Sequence, residues 1–528
     1  MTSAADRRKP ATVGIGWALP LGVVSAALLL WVAVKPTLAG INSDAAVYVL
    51  LADWLSPWHG SDIDFGARLF QHYPFPPLYP LLMAALGIGS GTPVQAYALN
   101  ALLQAWAVVA AGCWARRAGC DVVGATLAAA TLALTPIALF TAMGLFSEPL
   151  YLAFSMTALA LLASPRADTR EWYGAGLLLG AAAVTRGVGW FAVAALLACW
   201  LWRTRARDAR LTPLLALSAP LAWMAVKALT GWGGSYTHNL FGQGIAPVLL
   251  ALVEQVPTNL RALAYHFVRC FDFLGGRHSA ILLTLLLAPA GLILIERLRA
   301  AALDAWYGLL YFGVIVMWPY PNHFARFLLI LLPLFAAYAA LGLVRVGRMH
   351  GPAAWARAAP VVAAALLALV VAPSVLQITL GIANASGDDE KITARMSSWY
   401  GHDSLRAARS ASAFSLRVLQ VMGELGGRLP KDACVSSTMA EMFMLHGRRY
   451  SRPPPSQRDS LSTLREALGA CPYVLMLGAT AFPAADFPAY YPANRVPDEL
   501  EALLKVPRDA TRAEGPALAV LARYRARE

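Results

Sequence analysis

Long apolar stretches recur along most of this chain, and they constrain its fold more than any other feature of the sequence. Several approach the ~20 residues that an α-helix needs to cross the hydrocarbon core of a bilayer. Because lipid offers no hydrogen-bond partners to the backbone, such stretches cross it as helices. We therefore predict an α-helical polytopic membrane protein with about eleven transmembrane helices, at residues 17–34, 95–115, 121–141, 148–163, 172–187, 189–202, 211–229, 279–296, 304–320, 327–344 and 359–377.

The composition excludes an ordinary soluble protein. Of the 528 residues, 58% are hydrophobic and 14% are charged, whereas a soluble domain averages about 25% charged residues. The formal net charge of +13 would suit a nucleic-acid partner. The positive charges, however, form short clusters between the apolar stretches. That distribution is typical of the cytoplasmic loops of a membrane protein, and we expect no nucleic acid as a partner.

The basic clusters also predict the orientation of the chain. Arg7, Arg8 and Lys9 precede the first apolar stretch, which we interpret as an uncleaved helix with a cytoplasmic N-terminus. An odd number of crossings then places the residues after Pro373 outside the cytoplasm. The loops predicted to lie inside are the ones that carry paired or clustered arginines: Arg116, Arg117, Arg166, Arg170, Arg203, Arg205, Arg207, Arg210, Arg297, Arg299, Arg345, Arg348 and Arg357.

Two loops predicted to lie outside are long, at about residues 36–92 and 231–278. Long loops in a compact architecture are usually functional. Within the first loop, residues 44–55 have the pattern of an amphipathic helix lying on the membrane. The apolar piece Leu81–Ile88 is too short to cross, and we expect a re-entrant or interfacial helix there.

Residues 1–383 form the predicted transmembrane domain, and residues 384–528 have the pattern of a small extracytoplasmic α/β domain. Cys434 and Cys471 lie in this second domain. They could form a disulfide in an oxidising compartment, or they could remain two free thiols. The apolar patterns predict three buried strands and one helix, at Ala433–Ser437, Tyr473–Leu477, Leu518–Tyr524 and Ser460–Leu468.

Two carboxylates near predicted membrane boundaries are candidate catalytic residues. Asp44 follows the first crossing, and Glu148 lies at the turn between the third and fourth crossings on the predicted outer side. A carboxylate close to a bilayer is costly unless it is paired or has a function. Asp44 could act as a general base toward an acceptor hydroxyl. Either residue could instead be a helix N-terminal cap.

Two arginines on the same predicted side supply the complementary charge. Arg186 lies at the outer end of a short crossing, and Arg326 opens the tenth crossing from outside. A guanidinium group binds phosphate in a bidentate manner, so both are candidate phosphate ligands. The alternative is that each is an interfacial arginine that extends toward water.

These motifs together resemble the GT-C superfamily of membrane glycosyltransferases that use lipid-phosphate sugars. The resemblance covers most of residues 17–345 and only loosely the later run Gly447-Arg448-Arg449. Many relatives carry an Asp-Glu pair where this chain has Asp44-Ala45, which makes Glu148 our candidate for the second carboxylate. The matching elements are Asn42-Ser43-Asp44 with Tyr48, the run Tyr73-Pro74-Phe75-Pro76-Pro77-Leu78-Tyr79-Pro80, Phe146-Ser147-Glu148-Pro149-Leu150-Tyr151, Thr185-Arg186-Gly187, and Arg326 to Pro333.

The resemblance implies an inverting transfer of a hexose or pentose from a polyprenyl-phosphate donor. The acceptor would be a lipid, a glycan or a protein at the outer face of a bacterial cytoplasmic (inner) membrane. Some of the matching elements resemble those of mannosyltransferases. No cluster of residues resembles a metal site, and we expect no cofactor beyond the donor lipid. Asp44 and Glu148 would be catalytic, and the donor phosphate and substrate would contact Arg186, Arg326, His323, Tyr73, His72 and Tyr79.

Three other functions are compatible with parts of this pattern. A ligase or polymerase of lipid-linked glycans would share the topology and the outer site. A lipid or solute transporter would favour ionisable residues in the middle of the crossings, where this chain has almost none. A non-catalytic assembly partner is the third. We expect the enzyme, because the ionisable residues gather on one predicted side.

Overall fold

The computed structural model describes most of the chain, namely residues 15–58, 66–73, 75–164, 166–202, 208–232, 245–273, 276–318, 321–350, 353–396, 404–455, 460–477, 495–507 and 517–525. Of the residues discussed above, Arg7, Arg8, Lys9, Pro74, Arg203, Arg205 and Arg207 lie outside these ranges.

The first part of the chain is a domain built almost wholly of helices. Each of the apolar stretches identified in the sequence contains a helix in the structure. The helices are α1 (Ala18–Ala33), α2 (Ser43–Leu55), α3 (Gly66–His72), α4 (Leu78–Ala85), α5 (Pro93–Arg117), α6 (Val122–Leu134), α7 (Pro136–Met143), α8 (Glu148–Leu162), α9 (Thr169–Ala183), α10 (Gly189–Trp202), α11 (Thr212–Thr230), α12 (Ile245–Phe271), α13 (Arg277–Arg299), α14 (Leu303–Val316), α15 (Phe324–Leu328), α16 (Leu332–His350) and α17 (Ala353–Ala383).

Five stretches of helix within the described residues are long and apolar enough to cross a membrane. A sixth arises if α6 and α7, which meet at an angle of 45°, form one bent crossing. Shorter apolar helices are α1, α8, α10 and α14. The prediction of a mostly helical membrane protein is confirmed, whereas the count of eleven crossings stays a prediction. The five long stretches are Pro93–Arg117, Thr212–Thr230, Arg277–Arg299, Phe324–Met349 and Arg357–Ala383.

The bend between α6 and α7 is caused by Pro136, whose nitrogen cannot donate to the carbonyl of Leu132 one turn earlier. Buried amides on α5 replace the missing donors. Gln104 Nε2 donates to the carbonyls of Leu132 and Ala138 at 2.8 and 2.9 Å. Asn100 Nδ2 donates to the carbonyls of Thr141 and Gly144 at 3.2 and 2.8 Å. The loop that leads into α8 is thereby fixed to α5.

Two segments of the long loops differ from the expectation. Helix α2 is present, but it is buried on nearly all sides from Ala45 to Asp53, so the prediction of an amphipathic surface helix is wrong. It packs against α4 and against a helix of the second domain. Residues 231–278, which were predicted as a long loop, contain the 27-residue helix α12.

The second domain contains a mixed five-stranded sheet in the order β2-β1-β3-β5-β4. The pairs β1–β2 and β1–β3 are parallel, and β5 is antiparallel to both β3 and β4. The predicted strands and helix are present, and the sequence missed β2, β4 and the remaining helices. The elements are α18 (Asp388–Ala394), α19 (Leu405–Arg428), β1 (Cys434–Ser437), α20 (Ala440–Gly447), β2 (Tyr450–Arg452), α21 (Leu461–Ala470), β3 (Tyr473–Leu477), β4 (Leu500–Pro507) and β5 (Ala517–Tyr524).

One apolar core crosses the boundary between the two domains. Side chains of α2 and α4 belong to the same buried cluster as side chains of α19, α20, β1, β3 and β5. Val47 and Leu50 of α2, for example, share it with Phe443 of α20 and Val435 of β1. Burial of apolar surface contributes roughly 25 cal/mol per Å², so this shared core fixes the second domain on α2.

Cys434 and Cys471 form a disulfide that links the start of β1 to the end of α21. Of the two alternatives open in the sequence, the structure therefore has the bonded one. The other four cysteines are free thiols within the helical domain, at Cys113, Cys120, Cys199 and Cys270.

We expect iodoacetamide to alkylate four cysteines of the unfolded, unreduced protein and all six after reduction, as counted by mass spectrometry. Replacement of both Cys434 and Cys471 by serine should lower the stability of the second domain by about 3–4 kcal/mol. The disulfide joins residues with a sequence separation of 37, and closing a loop of that length restricts the unfolded chain. Six alkylated cysteines before reduction would contradict the bond.

Candidate active site

Four charged side chains from distant parts of the chain form one ion-pair cluster. Arg326 donates from Nε to Oε1 of Glu148 at 2.8 Å and from Nη1 and Nη2 to Oδ2 of Asp44 at 3.1 and 3.2 Å. Arg186 Nη1 lies 2.6 Å from Oε2 of Glu148. Each of the four was a candidate from the sequence, and the structure brings all of them together.

The four side chains differ in how much of their surface is exposed to solvent. The side chain of Glu148 is 0% exposed, and those of Arg186 and Arg326 are 12% and 14% exposed. The side chain of Asp44 is 31% exposed. Both contacts from Arg326 fall on Oδ2 of Asp44, and within the described part of the chain its Oδ1 has no hydrogen-bond partner. Asp44 is therefore the carboxylate that a substrate can reach.

Helix starts position both carboxylates. Asn42 caps α2 by accepting from the Ala45 nitrogen at 2.9 Å, and Asp44 lies in the first turn of that helix. Glu148 is the first residue of α8 and is followed by Pro149, a residue favoured in the first turn. A helix N-terminus carries a partial positive charge, so it is a favourable position for an acidic side chain.

Arg186 lies in the tight turn between α9 and α10. A Cβ atom at Gly189 would come within 2.5 Å of the Ala183 backbone, so only glycine permits α10 to start this close to the end of α9. The backbone nitrogen of Leu78 donates to the Val184 carbonyl at 3.0 Å. The proline-rich run is thereby attached to the turn that carries Arg186.

Two phenylalanines sit against the guanidinium groups. The Phe146 ring lies 4.2 Å from the guanidinium carbon of Arg326, and the Phe327 ring lies 5.9 Å from that of Arg186. Aromatic faces attract cations while excluding water from one side of the charge. His323 is partly buried and stacks on Phe327 with a centroid distance of 6.2 Å, which places it one ring away from Arg186.

Tyr48 and Ser147 extend the cluster, although the sequence supplied no role for either. The Tyr48 hydroxyl lies 3.0 Å from the Ser147 hydroxyl, and Arg186 Nη1 donates to that same Ser147 oxygen at 3.1 Å. Tyr48 was visible only as part of the motif that begins at Asn42. Its place one turn after Asp44 on α2 is the signal that could have identified it.

The tyrosines of the proline-rich run have different surroundings. Tyr79 is fully buried, donates to Asn100 Oδ1 at 3.3 Å and packs edge-on against Tyr48. It supports Tyr48 and does not present its hydroxyl to a substrate. Tyr73 stacks on Phe75 at 5.8 Å, and Phe75 contacts Tyr48 at 5.3 Å. The aromatic groups therefore form a continuous wall beside the ion pairs.

His72 is exposed and stands apart from the four charged residues. Partial burial of the imidazole lowers its pKa, and the nearby charges of Arg452 and Arg68 lower it further. A neutral imidazole is therefore favoured there at neutral pH. Of the residues predicted to bind the donor, Arg326 is therefore part of the ion-pair cluster, whereas His72 lies outside it.

Glu441, which the sequence did not single out, reaches this region from the second domain. It lies in the first turn of α20, and the Tyr73 hydroxyl donates to its Oε1. Burial, followed by the nearby charge of Glu441, raises the pKa of Tyr73 well above its usual value. Burial also raises the pKa of Glu441, and the charge of Asp44 adds to that effect.

No group of three or more His, Cys, Asp or Glu side chains suited to a metal ion occurs within the described ranges. The positive charge at the site comes from Arg186 and Arg326. Two guanidinium groups with donors left over from their ion pairs can bind the oxygens of a phosphate group.

No family model matches the chain, and no curated protein matches it in sequence. Solved structures match its fold. ArnT from Cupriavidus metallidurans in the apo state is 13% identical, with 96% of this chain and 97% of that chain covered and a TM-score of 0.50. The same protein bound to undecaprenyl phosphate is 14% identical, with 96% and 98% covered and a TM-score of 0.50.

The apo oligosaccharyltransferase from Archaeoglobus fulgidus is 14% identical, with 87% of this chain and 69% of that chain covered and a TM-score of 0.50. These likenesses show the fold. The chain has the fold of ArnT and of this oligosaccharyltransferase, and at the level of the fold the resemblance predicted from the sequence motifs is confirmed.

Replacement of Glu148 by alanine should lower the free energy of unfolding by about 3–5 kcal/mol, because it leaves two largely buried guanidinium groups without their shared partner. Thermal unfolding in detergent, followed by tryptophan fluorescence, measures the change. The matched control is Glu296→Ala, which removes an exposed ion pair with Arg345 and should cost at most about 1 kcal/mol. Equal melting temperatures for the two variants would contradict the central position of Glu148.

Proposed function

We propose that this protein transfers a sugar from a polyprenyl-phosphate donor to a lipid, glycan or protein acceptor at the outer face of the cytoplasmic membrane. The observation that carries the proposal is the contact of Arg326 with both Asp44 and Glu148, beside Arg186. The most exposed carboxylate of the cluster therefore lies next to two guanidinium groups, the kind of group that binds phosphate. The undecaprenyl phosphate bound to ArnT, a protein of the same fold, supports the class of donor lipid.

In the proposed reaction, Asp44 takes the proton of the acceptor hydroxyl while the acceptor oxygen attacks the anomeric carbon of the sugar. The bond between that carbon and the phosphate oxygen breaks, and its electron pair stays on the phosphate. Negative charge therefore grows on the leaving group in the transition state, where fixed cationic donors are most effective. A single displacement of this kind inverts the anomeric centre.

We assign Arg186 and Arg326 to the donor phosphate. His323 lies nearby, because the Phe327 ring contacts both His323 and Arg186. Glu148 holds both guanidinium groups in place. In this proposal no metal cofactor takes part, because the two guanidinium groups supply the positive charge. Ser147, which lies within hydrogen-bond distance of the Tyr48 hydroxyl, accepts from the same Nη1 of Arg186 that pairs with Glu148.

The disulfide between Cys434 and Cys471 supports an extracytoplasmic second domain, since disulfides persist in oxidising compartments. The arginine clusters in the sequence support the same orientation. A transfer on this side needs a donor that has crossed the membrane, and a sugar linked to a polyprenyl phosphate satisfies that requirement.

A transfer of a whole lipid-linked oligosaccharide is the second candidate. It is favoured by the likeness in fold to the Archaeoglobus fulgidus oligosaccharyltransferase. The same Asp44 and arginines would serve it, since the leaving group is again a lipid phosphate. The two candidates differ in the mass that the acceptor gains.

Replacement of Asp44 by asparagine should lower the transfer rate about 100- to 10,000-fold, the range that a general base contributes. Purified protein in detergent would receive polyprenyl-phosphate hexose or pentose donors and a cell-envelope extract, with transfer followed by mass spectrometry. The matched control is Asp53→Asn on the same helix, where the carboxylate accepts from the Ser90 nitrogen at 2.8 Å.

Transfer that persists undiminished in Asp44→Asn would remove the proposed base. Wild-type protein that transfers neither hexose nor pentose nor oligosaccharide would remove the proposed function.

A further inference from the structure

Glu441 brings a third carboxylate to the proposed site, and it comes from the second domain. Helices α2 and α20 pack against each other, and each carries a carboxylate in its first turn, Asp44 in α2 and Glu441 in α20. Glu441 is partly buried and accepts a hydrogen bond from Tyr73. Nothing in the mechanism proposed above uses this pair.

We propose that Tyr73 and Glu441 form the acceptor subsite, and that it binds an uncharged hydroxyl group of the acceptor beside Asp44. This assignment rests on the proposed function. It specifies that the acceptor binds on the side of the site that faces the second domain. The second domain then supplies a substrate-binding residue in addition to covering α2.

The distribution of charge separates a donor side from an acceptor side. Arg186 and Arg326 gather around Glu148 and one oxygen of Asp44. Tyr73 and Glu441 pair with each other where α20 packs on α2, the two helices whose first turns carry Glu441 and Asp44, and the charge of Asp44 contributes to the raised pKa of each. Two carboxylates repel a phosphate group, so an anionic accepting group is excluded there by charge. The single proton of Tyr73 is donated to Glu441, so an acceptor hydroxyl donates to a carboxylate oxygen of Glu441 or Asp44.

Tyr73 is held in position by stacking as well as by its hydrogen bond. Its ring stacks on Phe75 at an interplanar angle of 9°, and Phe75 contacts Tyr48 of the ion-pair cluster. Since the pKa of Tyr73 is raised, its hydroxyl keeps its proton at physiological pH and acts as a donor. The subsite is therefore fixed before substrate arrives.

The test compares Glu441→Gln and Tyr73→Phe with wild type in three measurements: binding of undecaprenyl phosphate to the detergent-purified full chain, the apparent KM for the sugar donor, and the amount of envelope extract that gives half-maximal transfer. We expect each variant to need about 10- to 100-fold more extract, the equivalent of one lost hydrogen bond to a charged group. Undecaprenyl phosphate binding and the donor KM should stay within about twofold of wild type.

The matched control is Glu424→Gln, which changes an exposed carboxylate of the same domain that pairs with Arg417. Glu441→Asp, which keeps the charge, should recover part of the lost acceptor affinity. A purely structural role of Glu441 would instead lower undecaprenyl phosphate binding and acceptor affinity together, and that result would overturn the subsite.

The accepting group is tested separately by treating the extract with alkaline phosphatase, which removes phosphate monoesters and leaves hydroxyl groups. Unchanged transfer supports a hydroxyl acceptor, and loss of transfer would overturn it. Wild-type protein that neither binds undecaprenyl phosphate nor transfers sugar would remove the proposed function itself. Wild-type protein that does both, with Glu441→Gln and Tyr73→Phe indistinguishable from it, would remove only the acceptor subsite.

Discussion

The buried carboxylate of Glu148 is the constraint around which the rest of the site is organised. A fully buried charge is tolerated only when it is paired and hydrogen-bonded. Glu148 satisfies this requirement with guanidinium groups from two other segments, Arg186 between α9 and α10 and Arg326 in α15. Arg326 in turn reaches Asp44 of α2. Four separate parts of the helical domain are thus held together by the pairing of one side chain.

Much of the helical fold and of the candidate site could be predicted from the sequence, because both depend on local sequence patterns. Apolar stretches predict helices wherever they occur, and the arginines and carboxylates at their ends are conspicuous because charges near a membrane are expensive. Asp44, Glu148, Arg186 and Arg326 were identified one by one on that ground. Their contacts join residues 178 and 282 positions apart, and no local pattern specifies such pairings.

The parts that the sequence did not predict depend on the second domain. Helix α2 has the local pattern of a surface helix, yet Phe443 and its neighbours on α20 cover it. Glu441 precedes the apolar run Met442, Phe443, Met444 and Leu445 and resembles the first residue of any short amphipathic helix. Only the packing of α20 on α2 brings it to Tyr73. Tyr73 and Tyr79 likewise differ in role, although they lie only six positions apart in one run.

The order of strands in the sheet has a consequence for how the protein is made. β5 is the last strand synthesised among those described, yet it lies inside the sheet between β3 and β4. Its Leu518, Ala519 and Leu521 belong to the same core as α2 and α20. A nascent chain still on the ribosome can therefore insert its helices into the membrane well before that core closes. Completion of that core then waits for the synthesis of β5, so a chain interrupted before β5 leaves α2 and α20 without part of their shared packing.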